Sequence, residues 1–550
     1  MSAPAGVDPA PPDPAEALAL ARAGAASGQR AAHPRPPAVL LALGVLVVAT
    51  SLVPLGFVLW STAQMGPAEA WDLLTRPRFA DLLWNTSRLL VGGVALSVVL
   101  GVGFAWLVAR TDLRLSGLWH GVLCAPLAVP AFVNGYGWIS ATHAVQSSYW
   151  GAVLIVSLSY YPLVYLPTVA ALGRLDASVE DVAASLGVGP VASFLRVVLP
   201  AISPAVLGGA LLVGLHLLGE YGALQLLNYP TLTTGILDQY RVSFNGPAAT
   251  LLALVLVVFC LALLGLEALA RGRRRLSRVG AGVGRPAARH RLGRSAAAWT
   301  TVLAGFAVLT LGVPLTSLLR WLLRGSSSSL SDSGLGAAIG TTLGLAIAGG
   351  LLTTLAALPV AWLAVRHRGA FSTLLERGVY PANALPGIVV ALALVTVSIN
   401  VVPALYQTLP LLVIGYLILF LPRATVGVRS TLELAPPVLD DVATTLGCTR
   451  AGAARRVTLP LVLPGLAASV ALVSLAVATE LTATLLLAPT GTSTLATQFW
   501  ARASAVEYGA AAPYALALIV LSVPATWLLG RVAVVHQQSH QQSHQQGRPA

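Results

Sequence analysis

Two acidic pairs, Glu180-Asp181 and Asp440-Asp441, stand 260 residues apart, and each is followed at the same interval by a glycine, Gly187 and Gly447. A lone carboxylate then appears inside an apolar run in each copy, Glu220 and Glu480, again 260 residues apart. Carboxylates in such surroundings can cap a helix, pair with a cation or line a polar path. Nucleotide chemistry is not open to them. A phosphate-cradling Gly-rich loop needs a Lys after its glycines, and all 33 basic residues are Arg. If ATP serves this chain, another subunit hydrolyses it. Cys124, Cys260 and Cys448 are far apart and form no C-x-x-C, so neither a zinc site nor a disulfide framework is indicated. The apolar runs hold no cluster of His, Asp and Glu that would equip a membrane-embedded enzyme. No catalytic residue and no metal ligand is therefore assigned.

The elements that position these carboxylates belong to a membrane protein. The chain has 550 residues, 56% hydrophobic and 10% charged, with mean hydropathy +0.80. A soluble domain carries about 25% charged residues. Apolar runs of spanning length fall at about 38–60, 89–109, 118–140, 150–172, 202–225 and 248–270, and again at about 297–319, 342–365, 380–400, 408–428, 462–487 and 511–533. The expected fold is all-α, with twelve transmembrane helices.

Twelve spans place both termini on one side, and Arg decides which. With the N-terminus cytoplasmic, the opposite face holds only Arg76, Arg78, Arg88, Arg241, Arg320, Arg324 and Arg502 out of 33. The asymmetry expects both termini in the cytoplasm. The expected organisation is a disordered tail (1–37), a first six-span domain (38–270), a basic linker (271–296), a second six-span domain (297–535) and a His/Gln tail (536–550). The formal charge of +13 reads as loops near anionic headgroups rather than as a nucleic-acid surface, because no folded basic domain is available.

The two halves are one unit written twice. "AWLVAR" (105–110) returns as "AWLAVR" (361–366), Pro130 as Pro386, Pro204 as Pro464, and "PTLTTGILDQ" (230–239) as "PTGTSTLATQ" (489–498). Six spans separate the copies, so the repeats run parallel and both acidic loops share the cytoplasmic face. Each loop reads as two short helices. Ser178 with Asp181 fits a capping box, and Pro437 can open the second copy. Val179, Val182, Ala183 and Leu186 make one apolar stripe, repeated at Leu439, Val442, Ala443 and Leu446. Gly187 and Gly447 stop the helices in the left-handed conformation. Gly189 and Thr449 can cap the helices that follow. An amphipathic helix kept twice on one face suits docking into a partner's groove, and two copies imply a two-fold partner.

This loop resembles the EAA loop of ABC-importer permeases: an acidic residue, two small residues, a Gly three residues beyond a short gap, and an aliphatic-Leu-Pro ending. The family's acidic position falls on Asp181 and Asp441, and its Gly on Gly187 and Gly447. Asp stands where the family has Glu, with Glu180 and Asp440 just before, and Val182 and Val442 replace the first Ala. Which carboxylate of each pair matters is left open. "YYPLVYLP" (160–167), "PLAVPAFVNGYGW" (126–138) and "GEYGALQLL" (219–227) resemble the fused two-domain permeases of ferric-iron importers. Thiamine importers use a similar fused layout.

The resemblance implies two parallel six-helix permease repeats in the cell (inner or plasma) membrane, with cytoplasmic coupling helices at about 178–190 and 438–450. It implies an external substrate-binding protein and two ABC ATPase subunits that consume ATP-Mg, while this chain binds no cofactor itself. Glu180, Asp181, Ala183, Leu186 and Gly187, with Asp440, Asp441, Ala443, Leu446 and Gly447, are the expected ATPase-coupling residues. Glu220, Tyr221 and Glu480 are the expected substrate-pathway residues, with a structural hydrogen bond as the other reading of the glutamates. Tyr160, Tyr161, Tyr165 and Tyr221 could offer phenolic oxygens to a hard cation, or serve as interfacial anchors. Lipid is the remaining partner; nucleic acid is not expected. A thiamine or other small-solute importer is the alternative cargo reading. A major-facilitator-type transporter shares twelve spans and parallel halves, but it expects a Gly- and Asp/Arg-rich loop where this chain has "ARTDLRLSG" (109–117).

Overall fold

The computed structural model describes residues 37–175, 177–271, 290–324, 333–367, 369–524 and 526. Of the expected tails and linker, only residues 37, 271 and 290–296 fall among these. The described chain is helical; its one extended contact is a parallel bridge between Thr111 and His290. Eight helices are long and apolar enough to cross a membrane: Ala38–Gln64, Pro77–Arg110, Pro190–Gly219, Gly246–Ala270, Ser295–Arg324, Gly334–Arg366, Leu409–Glu433 and Ala454–Ala478. Three bent helix pairs bring the number to eleven at most, and Tyr508–Pro524, in the place of the expected last span, is shorter.

Expected spans three and nine are not straight. Ser116–Ala128 meets Ala131–Ala141 at 93°, and Ala370–Ala382 meets Gly387–Val401 at 101°. Pro130 and Pro386 stand at these breaks with extended ψ of 143° and 148°. A proline has no N–H to continue the helical ladder, and its ring blocks the preceding turn. The repeat thus writes the same elbow into both halves.

Within each half the long helix packs on the same two neighbours. Pro77–Arg110 lies against Pro162–Arg174 and Leu199–Gly219, and Ser333–Arg366 lies against Leu409–Glu433 and Leu459–Ala478. Small residues let these backbones approach, as membrane helix packing requires. A Cβ on Gly101 or on Gly209 would each come within 2.7 Å of Val164, so both glycines are steric necessities where three helices meet.

The halves exchange their first helices. Ala38–Gln64 packs on Ser333–Arg366 and on Gly387–Val401 of the second half. Reciprocally, Val313–Arg324 packs on Ala131–Ala141 of the first, and the Phe306 ring packs at a tilt against Phe104 with ring centroids 4.5 Å apart. A Cβ on Gly44 would lie 3.2 Å from Leu363, which shows how tightly the exchanged helix is seated.

Candidate functional site

The acidic loops fold alike. Helix Ala177–Ser185 ends with Gly187 N–H donating to Ala184 O (3.0 Å) and Val188 N–H to Ala183 O (3.0 Å). Helix Pro437–Thr445 ends with Gly447 donating to Thr444 O (3.0 Å) and Cys448 to Ala443 O (3.0 Å). This double bond is a Schellman cap, which needs a left-handed residue at its centre. Gly187 and Gly447 supply it with φ of +76° and +88°. Pro437 opens the second helix. The first already includes Ala177, so Ser178 is not its cap; the cap position, residue 176, lies outside the described residues. Gly189 stands at the cap of the next turn, and Thr449 Oγ1 accepts from Gly452 N–H (3.1 Å). A five-residue π segment follows in both copies, Phe194–Val198 and Ala454–Thr458.

The predicted apolar stripe divides between two directions. Ala183 and Ala443 are buried, at 6% and 7% exposure, against the protein. Val182 and Leu186 are 58% and 76% exposed, and Val442 and Leu446 49% and 80%. Val179 has no described side chain. These four exposed residues, with Leu439 at 41% exposure, belong to the outward apolar surface of the two loops.

The acidic pairs divide too. Asp181 faces solvent, whereas Glu180 turns inward to Arg110, with Nη2 to Oε1 at 2.9 Å. In the second half Asp440 meets Arg366, with Nη2 to Oδ2 at 3.2 Å. Both arginines are the last residues of their long helices and both lie over a tryptophan, Arg110 over Trp106 at 6.0 Å and Arg366 over Trp362 at 5.4 Å. The repeated "AWLVAR" and "AWLAVR" therefore supply a cation and its ring together. Sequence reasoning marked the repeat but not its arginines; a basic residue kept at the end of a repeated helix, opposite a repeated acid, was the available signal.

Glu220 and Glu480 sit where the helices Leu199–Gly219 and Leu459–Ala478 give way to short ones. Glu220 Oε1 accepts from Ala223 N–H (2.9 Å), and Glu480 Oε1 accepts from Ala483 N–H (3.0 Å). Each carboxylate so caps the short helix that follows. The structural role is real, and it leaves the other oxygen of each carboxylate for further work. Glu220 Oε2 accepts from the Tyr160 hydroxyl. Glu480 lies at the second elbow, where a Cβ on Gly387 would approach its Oε1 to 3.0 Å. A Cβ on Gly219 would lie 3.9 Å from Pro386, so the residue before Glu220 stands against the second elbow, at the seam between halves.

Two more polar groups lie nearby. Arg423, in the middle of Leu409–Glu433, lies over the Phe420 ring at 5.6 Å. His216 donates from Nδ1 to Leu212 O (2.8 Å), and its ring lies 5.3 Å from that of Tyr160. Tyr160, His216 and Arg423 have no counterparts in the other half, where Gly415, Ala476 and Thr168 stand at matching places. A single Arg inside an apolar run was a signal of its own, because a mid-membrane cation is costly without a role.

Tyr221 does not join this cluster. It is 5% exposed, packs at a tilt against Trp500 (ring centroids 5.3 Å apart) and lines a cavity of about 450 Å³ between the halves, shared with Tyr136, Gln146, Gln225, Trp500 and Tyr508. Tyr161 and Tyr165 are fully buried, the former donating to Leu123 O (2.7 Å) and the latter bonded to His120 Nδ1 (2.9 Å). Of the expected phenols, Tyr160 hydrogen-bonds Glu220, Tyr221 lines the cavity, and Tyr161 packs edge-on against Phe306 of the second half with ring centroids 5.1 Å apart. Among the described residues no three His, Cys, Asp or Glu side chains converge as a resident metal centre would require.

The chain matches the family model described as "Binding-protein-dependent transport system inner membrane component" twice, at residues 97–275 and 349–533. It is 38% identical over 502 residues to the Fe(3+)-transport system permease protein FbpB 2 of Haemophilus influenzae, covering 91% of this chain and 99% of that protein. It is also 29% identical to the sulfate transport system permease protein CysT of Salmonella typhimurium, over 42% of this chain and 90% of that protein. The molybdenum transport system permease protein ModB of Escherichia coli is 30% identical over 28% of this chain and 72% of its own length.

Proposed function

Because the chain belongs to the family of binding-protein-dependent transport system inner membrane components, we propose that it is the permease subunit of an ATP-driven importer of ferric iron. The observation that carries the cargo is extent. Similarity to the Fe(3+)-transport permease runs through both halves and 91% of the chain, whereas the sulfate and molybdenum relatives cover 42% and 28%. Glu220, Glu480 and Tyr160 offer hard oxygen atoms, which suit a hard metal ion, beside the cation of Arg423.

In this reading both termini face the cytoplasm and twelve segments cross the cell membrane, with spans three and nine kinked at their prolines. Two ATPase subunits dock on the helices Ala177–Ser185 and Pro437–Thr445, whose exposed Val182, Leu186, Val442 and Leu446 enter grooves on the partners. Asp181 and Asp441 face those partners. ATP-Mg closes the ATPase pair, the two loops move together, and the halves rock about the seam between outward-open and inward-open states. An external binding protein delivers iron to the cavity lined by Tyr221. From there the ion passes Glu220 and Glu480, which hold it weakly enough to release it.

The test is reconstitution. Vesicles holding this chain with its ATPase subunits should take up radiolabelled ferric iron only with the binding protein outside and ATP inside. Uptake of thiamine in place of iron would move the cargo to the alternative reading.

A further inference from the structure

We propose that Arg110 and Arg366 are positioning residues: each latches its half's docking helix to the end of the long membrane helix, so that motion of the docking helix drives the membrane helix. The inference rests on the docking role given above to Ala177–Ser185 and Pro437–Thr445.

Both partners of each latch sit where backbone charge favours them. Arg110 and Arg366 are at helix C-termini, where the carbonyl end of the dipole is negative. Glu180 and Asp440 are in the first turn of the following short helices, where the N–H end is positive. The contact joins two helix ends by side chains that each end already prefers. It is also sheltered. The Arg110 and Arg366 side chains are 4% and 8% exposed, and their carboxylate partners 17% and 26%. A shielded pair keeps its strength in salt and breaks only with a large loss, because a lone buried charge is left behind.

Each latch has its own reinforcement. In the second half Arg366 Nη2 also donates to Ala435 O (2.9 Å), and Thr458 Oγ1, from the π segment, donates to Asp440 Oδ1 (2.5 Å). Thus one carboxylate ties the long helix, the docking helix and the segment entering the next span. Val198 occupies the place of Thr458 in the first half and cannot bond. There the end of the basic linker serves instead. His290 N–H donates to Arg110 O (2.8 Å), Asp112 N–H donates to His290 O (3.1 Å), and the His290 ring stacks on Trp106 at 5.6 Å. The same ion pair is thus built in both halves and held by different neighbours in each.

The geometry also separates the two acids of each pair. The inward acid holds the permease's own arginine, and the outward acid is free for the partner. Neutralising the inward acid should uncouple transport from hydrolysis, while the ATPase subunits stay bound.

The experiment uses the full complex of permease, ATPase subunits and binding protein in vesicles. Arg110→Gln with Arg366→Gln, and separately Glu180→Gln with Asp440→Asn, are compared with wild type for subunit co-purification, ATP hydrolysis and iron uptake. The expected result is normal co-purification, continued hydrolysis, and at least about a tenfold rise in ATP consumed per ion taken up. The charge-keeping Arg110→Lys with Arg366→Lys should recover most of the coupling. An unchanged ATP-to-iron ratio in the neutral variants would overturn the latch, as would equal loss in the Lys and Gln variants. Should the wild-type chain fail to bind ATPase subunits at all, the docking reading would fall, and that outcome is seen before any variant is made.

Discussion

Tyr160 donates a hydrogen bond to Glu220, and the same carboxylate caps the helix Gly222–Leu226 through Ala223 N–H at 2.9 Å. One oxygen holds the fold and the other faces a partner at the seam. Glu480 repeats the cap on Ala483 at 3.0 Å but has no tyrosine, because Gly415 stands where Tyr160 would be.

This division separates charge from structure in a mutant series. Glu220→Gln with Glu480→Gln keeps a carbonyl oxygen for each cap, so thermal stability should hold. Uptake should slow by about tenfold with no change in what is transported. Glu→Ala at either position removes the cap as well and should cost about 1 kcal/mol of stability. Thermal unfolding in detergent and radiolabelled uptake measure the two effects. Wild-type uptake by the double Gln variant would remove both glutamates from the path.

Gly187 and Gly447 provide a clean backbone test. Nothing lies within 4 Å of where their Cβ atoms would be, so a substitution meets strain without a clash. A non-Gly residue in the left-handed region costs about 1–2 kcal/mol. Gly187→Val and Gly447→Val should insert normally yet lose ATPase co-purification, whereas Asn, which tolerates that region, should be milder. Equal retention by Val and Asn would mean the turn does not aim the docking helix.

The exchanged first helices make a prediction about assembly. Each half lends Ala38–Gln64 or Ser295–Arg324 to the other, so the linker is not what holds them together. Fragments 1–280 and 281–550, co-expressed, should co-purify in detergent, and each alone should be degraded. Recovery of a stable single fragment would contradict the interlock.

Absence of Lys fixes a further result. With no lysine for a phosphate loop, the purified chain alone should hydrolyse ATP only at background rate. Robust turnover in a phosphate-release assay, without partner subunits, would be incompatible with a pure permease.

The repeat made much of this legible. Gly187 and Gly447 announced their left-handed turns because only Gly adopts them freely. Pro130 and Pro386 stood out as a repeated pair, but the two elbows were not read from them: periodicity alone does not say that those spans bend, since an elbow of 93° and a straight helix share one apolar composition. It also placed Val182 and Ala183 on one stripe, although adjacent helix residues lie about 100° apart around the axis, enough for one to face the protein and the other away. The arginine latches were hidden because their partners are 70 and 74 residues away, at 180 and 440 against 110 and 366. The exchange of first helices left no local trace, since any lipid-compatible helix reads alike in sequence.

Uptake by the reconstituted complex bears most directly on the whole account. Vesicles with this chain, its ATPase subunits and internal ATP-Mg, supplied with iron-loaded binding protein, should accumulate radiolabelled ferric iron. Omitting either ATP or the binding protein should abolish it. Accumulation of iron without ATP, or of sulfate, molybdate or thiamine but not iron under the same conditions, would contradict the account.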